Sequence, residues 1–167
     1  MATQTMTEKD MFLAAYEREY ETTLKVLRCY PANQEDWKPA EKCRNGRELA
    51  WIFNMGEKVQ LAAAKGKLDF FAAPPSPLVP VAEIIKMYEQ SHGETLAEVR
   101  KMAPADMERT IQFPVGPGKI ADVRAAQVLW MMLQDSVHHR GQLSVYLRML
   151  GARVPALYGP SADEPWR

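Results

Sequence analysis

The chain has 167 residues, which suits a single domain that buries roughly 70% of the surface its unfolded form would expose. Lysine plus arginine and aspartate plus glutamate number 21 each, so the formal charge is zero. That balance argues against a broad nucleic-acid footprint, which needs a cationic face to release counterions. No apolar run is long enough to cross a bilayer, and the opening "MATQTMTEKDMF" lacks the charged-then-apolar pattern of an export signal. The expectation is a cytoplasmic protein with Cys29 and Cys43 as free thiols.

Four segments carry a helical period. The first starts near Thr7, whose hydroxyl can cap it, and presents Phe12, Ala15, Tyr16, Tyr20, Thr23, Leu24 and Leu27 on one face. It ends at Cys29-Tyr30-Pro31, because the residue before a proline is pushed out of helical geometry. In the crossover that follows, Trp37 is expected to pack over one end of the bundle.

The second helix starts at Asn45, with Glu48 three residues on to complete a capping box, and stops at Gly66. Its expected buried stripe is Leu49, Ile52, Gly56, Val59 and Ala63. The connection "GKLDFFAAPPSPLVP" offers Phe70, Phe71, Leu78 and Val79 for burial. The third helix runs from about Pro80 to Met102 with Val81, Ile85, Tyr88, His92, Leu96 and Val99 inward.

"MERTIQFPVGPGKIADV" reads as irregular: "RTIQF" alternates like a strand, but one short strand cannot make a sheet. The fourth helix spans about Val123 to Leu150, ahead of a glycine stop at Gly151. The tail after it should lie on the bundle, covering Val154, Leu157, Tyr158 and Trp166, with Arg140 or Arg148 pairing with Asp163 or Glu164. Four helices without a set of strands predict an all-α four-helix bundle over residues 1–167 with an ordered C-terminal tail.

The fourth helix holds an anomaly. Its seam reads Val128, Met132, Asp135, His139, Gln142, Tyr146, Met149: apolar at the ends and polar in the middle. Asp135 and His139 stand four apart, so both project from one patch of the helix. Such a pair can offer two ligands to a metal, or a carboxylate that orients an imidazole, or it can simply satisfy two polar groups. His92 lies on the inward stripe of the third helix. Together Asp135, His139 and His92 could supply a carboxylate and two nitrogens to zinc, nickel or iron, leaving positions for water.

"HHRGQLSVYLRMLGARVPALYGPSADE" resembles the last helix and tail of the DinB-like superfamily of damage-inducible bundle proteins, and "RELAWIFNMGEK" resembles that family's second helix. The resemblance implies an up-up-down-down bundle, often a homodimer, with a divalent metal held by one histidine from helix two and two from helix four. It also implies hydrolase or thiol-dependent transferase chemistry in some members, with a small-molecule or low-molecular-weight thiol ligand. His139 matches the second helix-four ligand, Asp135 stands at the first, and Ile52 takes the helix-two place, where a hydrocarbon cannot ligate. Glu57 matches an acid that often follows that helix-two histidine. Two functions follow as expectations: a divalent-metal-dependent enzyme, in which either His92 or Glu57 replaces the lost ligand or the site is degenerate and binds metal weakly or not at all, or a metal-free ligand-binding or dimeric interaction module. DNA binding is disfavoured.

Overall fold

The computed structural model describes residues 6–68 and 75–166. Phe70 and Phe71 lie outside the described residues. Four long helices form the body: α1 (Glu8–Arg28), α2 (Gly46–Lys65), α3 (Val81–Lys101) and α5 (Ala125–Met149). A short α4 (Pro104–Glu108) and two strands, β1 (Thr110–Gly116) and β2 (Lys119–Arg124), connect α3 to α5.

The capping residues set the helix starts. Thr7 accepts from the Asp10 amide while the Asp10 carboxylate accepts from the Thr7 N–H, and Asn45 and Glu48 repeat this exchange for α2. Each exchange satisfies two amide donors that a helix start would leave open. Gly66 and Gly151 terminate α2 and α5 with φ of 76° and 69°, in the left-handed region that glycine enters without steric cost.

Around the bundle, α1 packs on α3 and α5, and α2 packs on the same two helices, so α1 and α2 take opposite corners. Contacts fix the directions. Glu8 meets Arg124 and Glu19 meets Arg140, so α1 and α5 run parallel. Lys9 reaches the Arg100 carbonyl and Arg28 pairs with Glu89, so α3 opposes α1. The Gln60 amide donates to the Leu129 carbonyl and the Tyr146 hydroxyl to the Arg44 carbonyl, so α2 opposes α5. The order is therefore up-down-down-up, not the up-up-down-down that the resemblance implied. Two consecutive parallel helices, α2 and α3, demand the long crossover between them.

The second departure is the hairpin. β1 pairs antiparallel with β2, Ile111 opposite Val123 and Phe113 opposite Ala121. "RTIQF" does find a partner, in residues that the helical pattern of "ADVRAAQ" obscured. Ile111 and Phe113 are buried against the bundle end, and the apolar surface they cover keeps this two-stranded ribbon in place.

The core falls into two apolar clusters. One gathers Phe12, Tyr16, Ala63, Val99, Met107 and Leu129; the other gathers Leu24, Leu49, Phe53, Ile84, Leu143 and Leu147. Each fully buried aliphatic or aromatic side chain contributes about 1.5–3 kcal/mol. Between the clusters every long helix turns polar: Glu19, Thr22 and Thr23 on α1, Asn54, Glu57 and Gln60 on α2, His92 and Thr95 on α3, Asp135, His139 and Arg140 on α5. The bundle thus carries a polar layer at mid-height.

Trp37 packs edge-on against Tyr146, as expected for a cap on the bundle end. The tail docks through Val154 and Leu157, and Arg148 pairs with Asp163 at 2.7 Å. Leu78, Met149, Tyr158 and Trp166 are exposed, contrary to expectation; Tyr158 is held by its hydroxyl instead of by burial of its ring.

Candidate functional site

The polar layer divides into three hydrogen-bonded groups. The first lies between α1, α2 and α3. Glu57, 2% exposed, accepts from His92 Nδ1 at 3.1 Å on one carboxylate oxygen and from the Tyr16 hydroxyl on the other. Thr95 donates to the Glu57 carbonyl at 3.2 Å. The His92 ring stacks on Tyr20 at 3.6 Å, with the planes 2° apart. Burial, and then the negative charge of Glu57, hold the Tyr16 phenol far above its usual range, so Tyr16 stays a proton donor. Burial first, then Glu89, pushes Tyr20 up to about 12.

A second group joins α1, α5 and the tail. Arg140, 1% exposed, donates to Glu19 Oε2 at 2.6 Å, to the Glu19 carbonyl at 3.1 Å and to Thr23 at 3.2 Å. The Tyr158 hydroxyl donates to the same Glu19 oxygen at 2.5 Å and accepts from Arg140. Burial pulls the Glu19 carboxyl upward, but the hydrogen bonds from Tyr158 and Arg140 outweigh it and leave the group below its ordinary value. Arg140 therefore pairs inward with α1; Arg148 and Arg153 make the ion pairs with Asp163 and Glu164.

The third group is the open one. Asp135 and His139 sit one turn apart on α5, with His139 Nε2 3.4 Å from Asp135 Oδ1. The Asp135 side chain is 43% exposed and that of His139 11%. His139 Nδ1 lies 2.9 Å from Gln142 Oε1, and Gln142 Nε2 lies 3.1 Å from His138 Nε2. The amide orients this chain of bonds: its oxygen accepts from His139 Nδ1 and its nitrogen donates to His138. With Nδ1 so committed, Nε2 is the ring nitrogen that faces the Asp135 carboxylate.

Gln142 also borders a cavity of about 690 Å³. The loop ahead of α2 supplies Lys42, Cys43 and Arg44 to its wall, α2 supplies Leu49, and α5 supplies Gln142 and Tyr146. The Tyr146 hydroxyl donates to the Arg44 carbonyl at 3.0 Å. Burial, then the neighbouring Cys43 thiol, raises the Tyr146 phenol above its usual range.

Of the three ligands read from the sequence, Asp135 and His139 stand together, whereas His92, in the same layer, is bonded to Glu57. Among the described residues, no group of three or more His, Cys, Asp or Glu side chains is placed to hold a metal ion. Ile52 is half-buried among the apolar side chains. One turn along, Gly56 faces Ser136, where an added Cβ would lie 3.8 Å from the serine hydroxyl. This close approach puts Ile52 near the height of His139, and hydrocarbon stands where a third donor belongs. The donor set does not fit a three-ligand centre.

Spacing found the Asp135–His139 pair and put Gln142 on the same seam. It missed Glu57 as the partner of His92, and it missed the cavity, whose loop residues follow no periodic pattern.

A family model described as the DinB superfamily matches residues 15–143. A solved DinB-like protein from Bacillus cereus ATCC 10987 superposes with a TM-score of 0.74 at 21% identity, covering 88% of this chain and 95% of that one. YjoA, a DinB-like protein of Bacillus subtilis, gives 0.66 at 15% identity, covering 93% and 99%. YfiT of Bacillus subtilis gives 0.69 at 11% identity, covering 90% and 93%, and is described as a probable metal-dependent hydrolase with an unusual four-helix bundle topology. In sequence, the uncharacterized protein YrdA of Bacillus subtilis (strain 168) is 43% identical over 37 residues, a match spanning 22% of either chain. Among the described residues no helix is long and apolar enough to cross a membrane. The match over most of the chain, on an up-down-down-up bundle of this outline, makes the protein a member of the DinB superfamily.

Proposed function

We propose that this DinB protein binds a small molecule in the cavity beside Gln142, and that Asp135 and His139, joined to its wall through Gln142, form a proton-handling pair. The observation that carries the reading is the fixed imidazole: Gln142 takes Nδ1 at 2.9 Å and leaves Nε2 facing a half-exposed carboxylate. Orientation of one ring nitrogen by a polar neighbour is what general acid–base chemistry requires. A thermal-shift screen of small molecules tests it. Ligands that raise the melting temperature of the parent should lose most of that effect in His139→Ala and Gln142→Leu. A full shift in both variants places the ligand elsewhere and ends the reading.

A second reading keeps a divalent ion, zinc, nickel or iron, on Asp135 and His139. Its support is the helix-four pair itself and the description of YfiT as a probable metal-dependent hydrolase. A third protein donor would have to come from His92, which would first leave Glu57. Metal analysis of tag-free protein separates the two. The ligand-binding reading expects sub-stoichiometric metal and no melting shift with added zinc or nickel. One metal per chain, lost in Asp135→Ala and in His139→Ala, establishes the second. A homodimer in the cytoplasm belongs to either reading, and sedimentation or light scattering on the full chain tests the assembly.

A further inference from the structure

We infer that the cavity at the α2–α5 end of the bundle takes a small organic anion, a carboxylate carried on an apolar body. The inference rests on the proposed ligand site and names its substrate class. Lys42 and Arg44 line the cavity, and neither has an acidic side-chain partner among the described residues. Glu35 and Asp36 pair with Arg47 and Glu48 accepts from the Asn45 N–H; Glu41, beside Lys42, is exposed, and no carboxylate is among the residues that line the cavity. Two cations in a cavity wall that holds no carboxylate draw an anion into it.

The remaining wall suits the rest of such a molecule. Leu49 and Val145 supply hydrocarbon, and Gln142 supplies an amide. The Tyr146 hydroxyl has spent its proton on the Arg44 carbonyl, which also tethers the cationic loop to α5. At about 690 Å³ the space falls within the range of roughly 300–1,000 Å³ usual for small-molecule sites.

Cys43, in the same wall, provides a reporter. With Cys29→Ser the chain keeps one thiol. Its rate is measured at low salt with dianionic 5,5′-dithiobis(2-nitrobenzoate) and with neutral 4,4′-dithiodipyridine. In each case the Cys43 thiolate attacks one sulfur, the S–S bond breaks, a mixed disulfide forms and an aryl thiolate leaves. Any change in thiolate fraction scales both rates alike and drops out of their ratio. The anionic-to-neutral ratio should fall about tenfold when Lys42→Ala and Arg44→Ala are combined, the lower end of electrostatic focusing. In the parent, 1-naphthoate should protect Cys43 from the neutral reagent saturably, with one molecule per chain.

An unchanged ratio, or no saturable protection by naphthoate, overturns the inference. Protection by 1-naphthamide but not by naphthoate discards the charge preference and leaves the ligand site standing. Protection by neither discards both.

Discussion

The polar layer holds two histidine–carboxylate pairs in opposite circumstances. His92 and Glu57 are sealed: stacked, hydrogen-bonded on both carboxylate oxygens and surrounded by helices. His139 and Asp135 are open, joined by a looser 3.4 Å contact with the carboxylate half in water. The same two residue types thus divide the labour by burial. A sealed pair must be satisfied because an unpaired buried polar group is costly, and that satisfaction leaves it nothing to offer a ligand. The open pair contributes little to stability and keeps its carboxylate within reach of solvent.

Glu57→Ala should produce the largest change, a loss of about 3–5 kcal/mol in urea unfolding, because it strands His92 and Tyr16 and leaves a void. Tyr16→Phe removes one donor to Glu57 and should cost about 1–3 kcal/mol by the same measurement. Acid sharpens the contrast at Glu19. Its carboxyl is lowered in the folded state, so the stability it contributes is complete above the usual glutamate range, near 4.5, and is lost as pH falls through the folded value. Glu19→Gln should flatten that acid limb in unfolding measured from pH 6 to pH 3. Asp135→Ala, by contrast, should stay within about 1 kcal/mol of the parent, as partly exposed pairs do, while ligand-induced stabilisation disappears. A cost matching that of Glu57→Ala would erase the distinction between sealed and open. Smallest of all, Arg148→Ala breaks an exposed tail pair and should cost about 0–1 kcal/mol.

Much of this was legible in the chain. Caps at Thr7 and Asn45, stops at Gly66 and Gly151, and the polar interruption at Asp135 and His139 are local features, and they emerged where local rules place them. What failed depends on partners distant in sequence. On α2 the apolar pattern pointed to Ile52, Gly56 and Val59, whereas Phe53, Asn54, Glu57 and Gln60 are the buried face. Three of those four are polar, and they are tolerated inside only because the Ile84 carbonyl, His92, Tyr16 and the Leu129 carbonyl meet them. No rule applied to one helix can see acceptors and donors supplied by another. His92 was correctly turned inward, but its choice between Glu57 and His139 is decided by helix–helix alignment. The hairpin was missed for a related reason: β1 is a strand only because β2 lies beside it.

The mid-height layer also acts as a ratchet pawl for the whole bundle. Sliding any long helix by one turn, about 5.4 Å, would set Glu57 or Arg140 against leucine and phenylalanine and strand its former companions. Greasy surfaces alone would permit several such alignments at similar energy. Interlocking charges of this kind leave one vertical setting for the four rods, and that setting joins His139 to the cavity wall through Gln142.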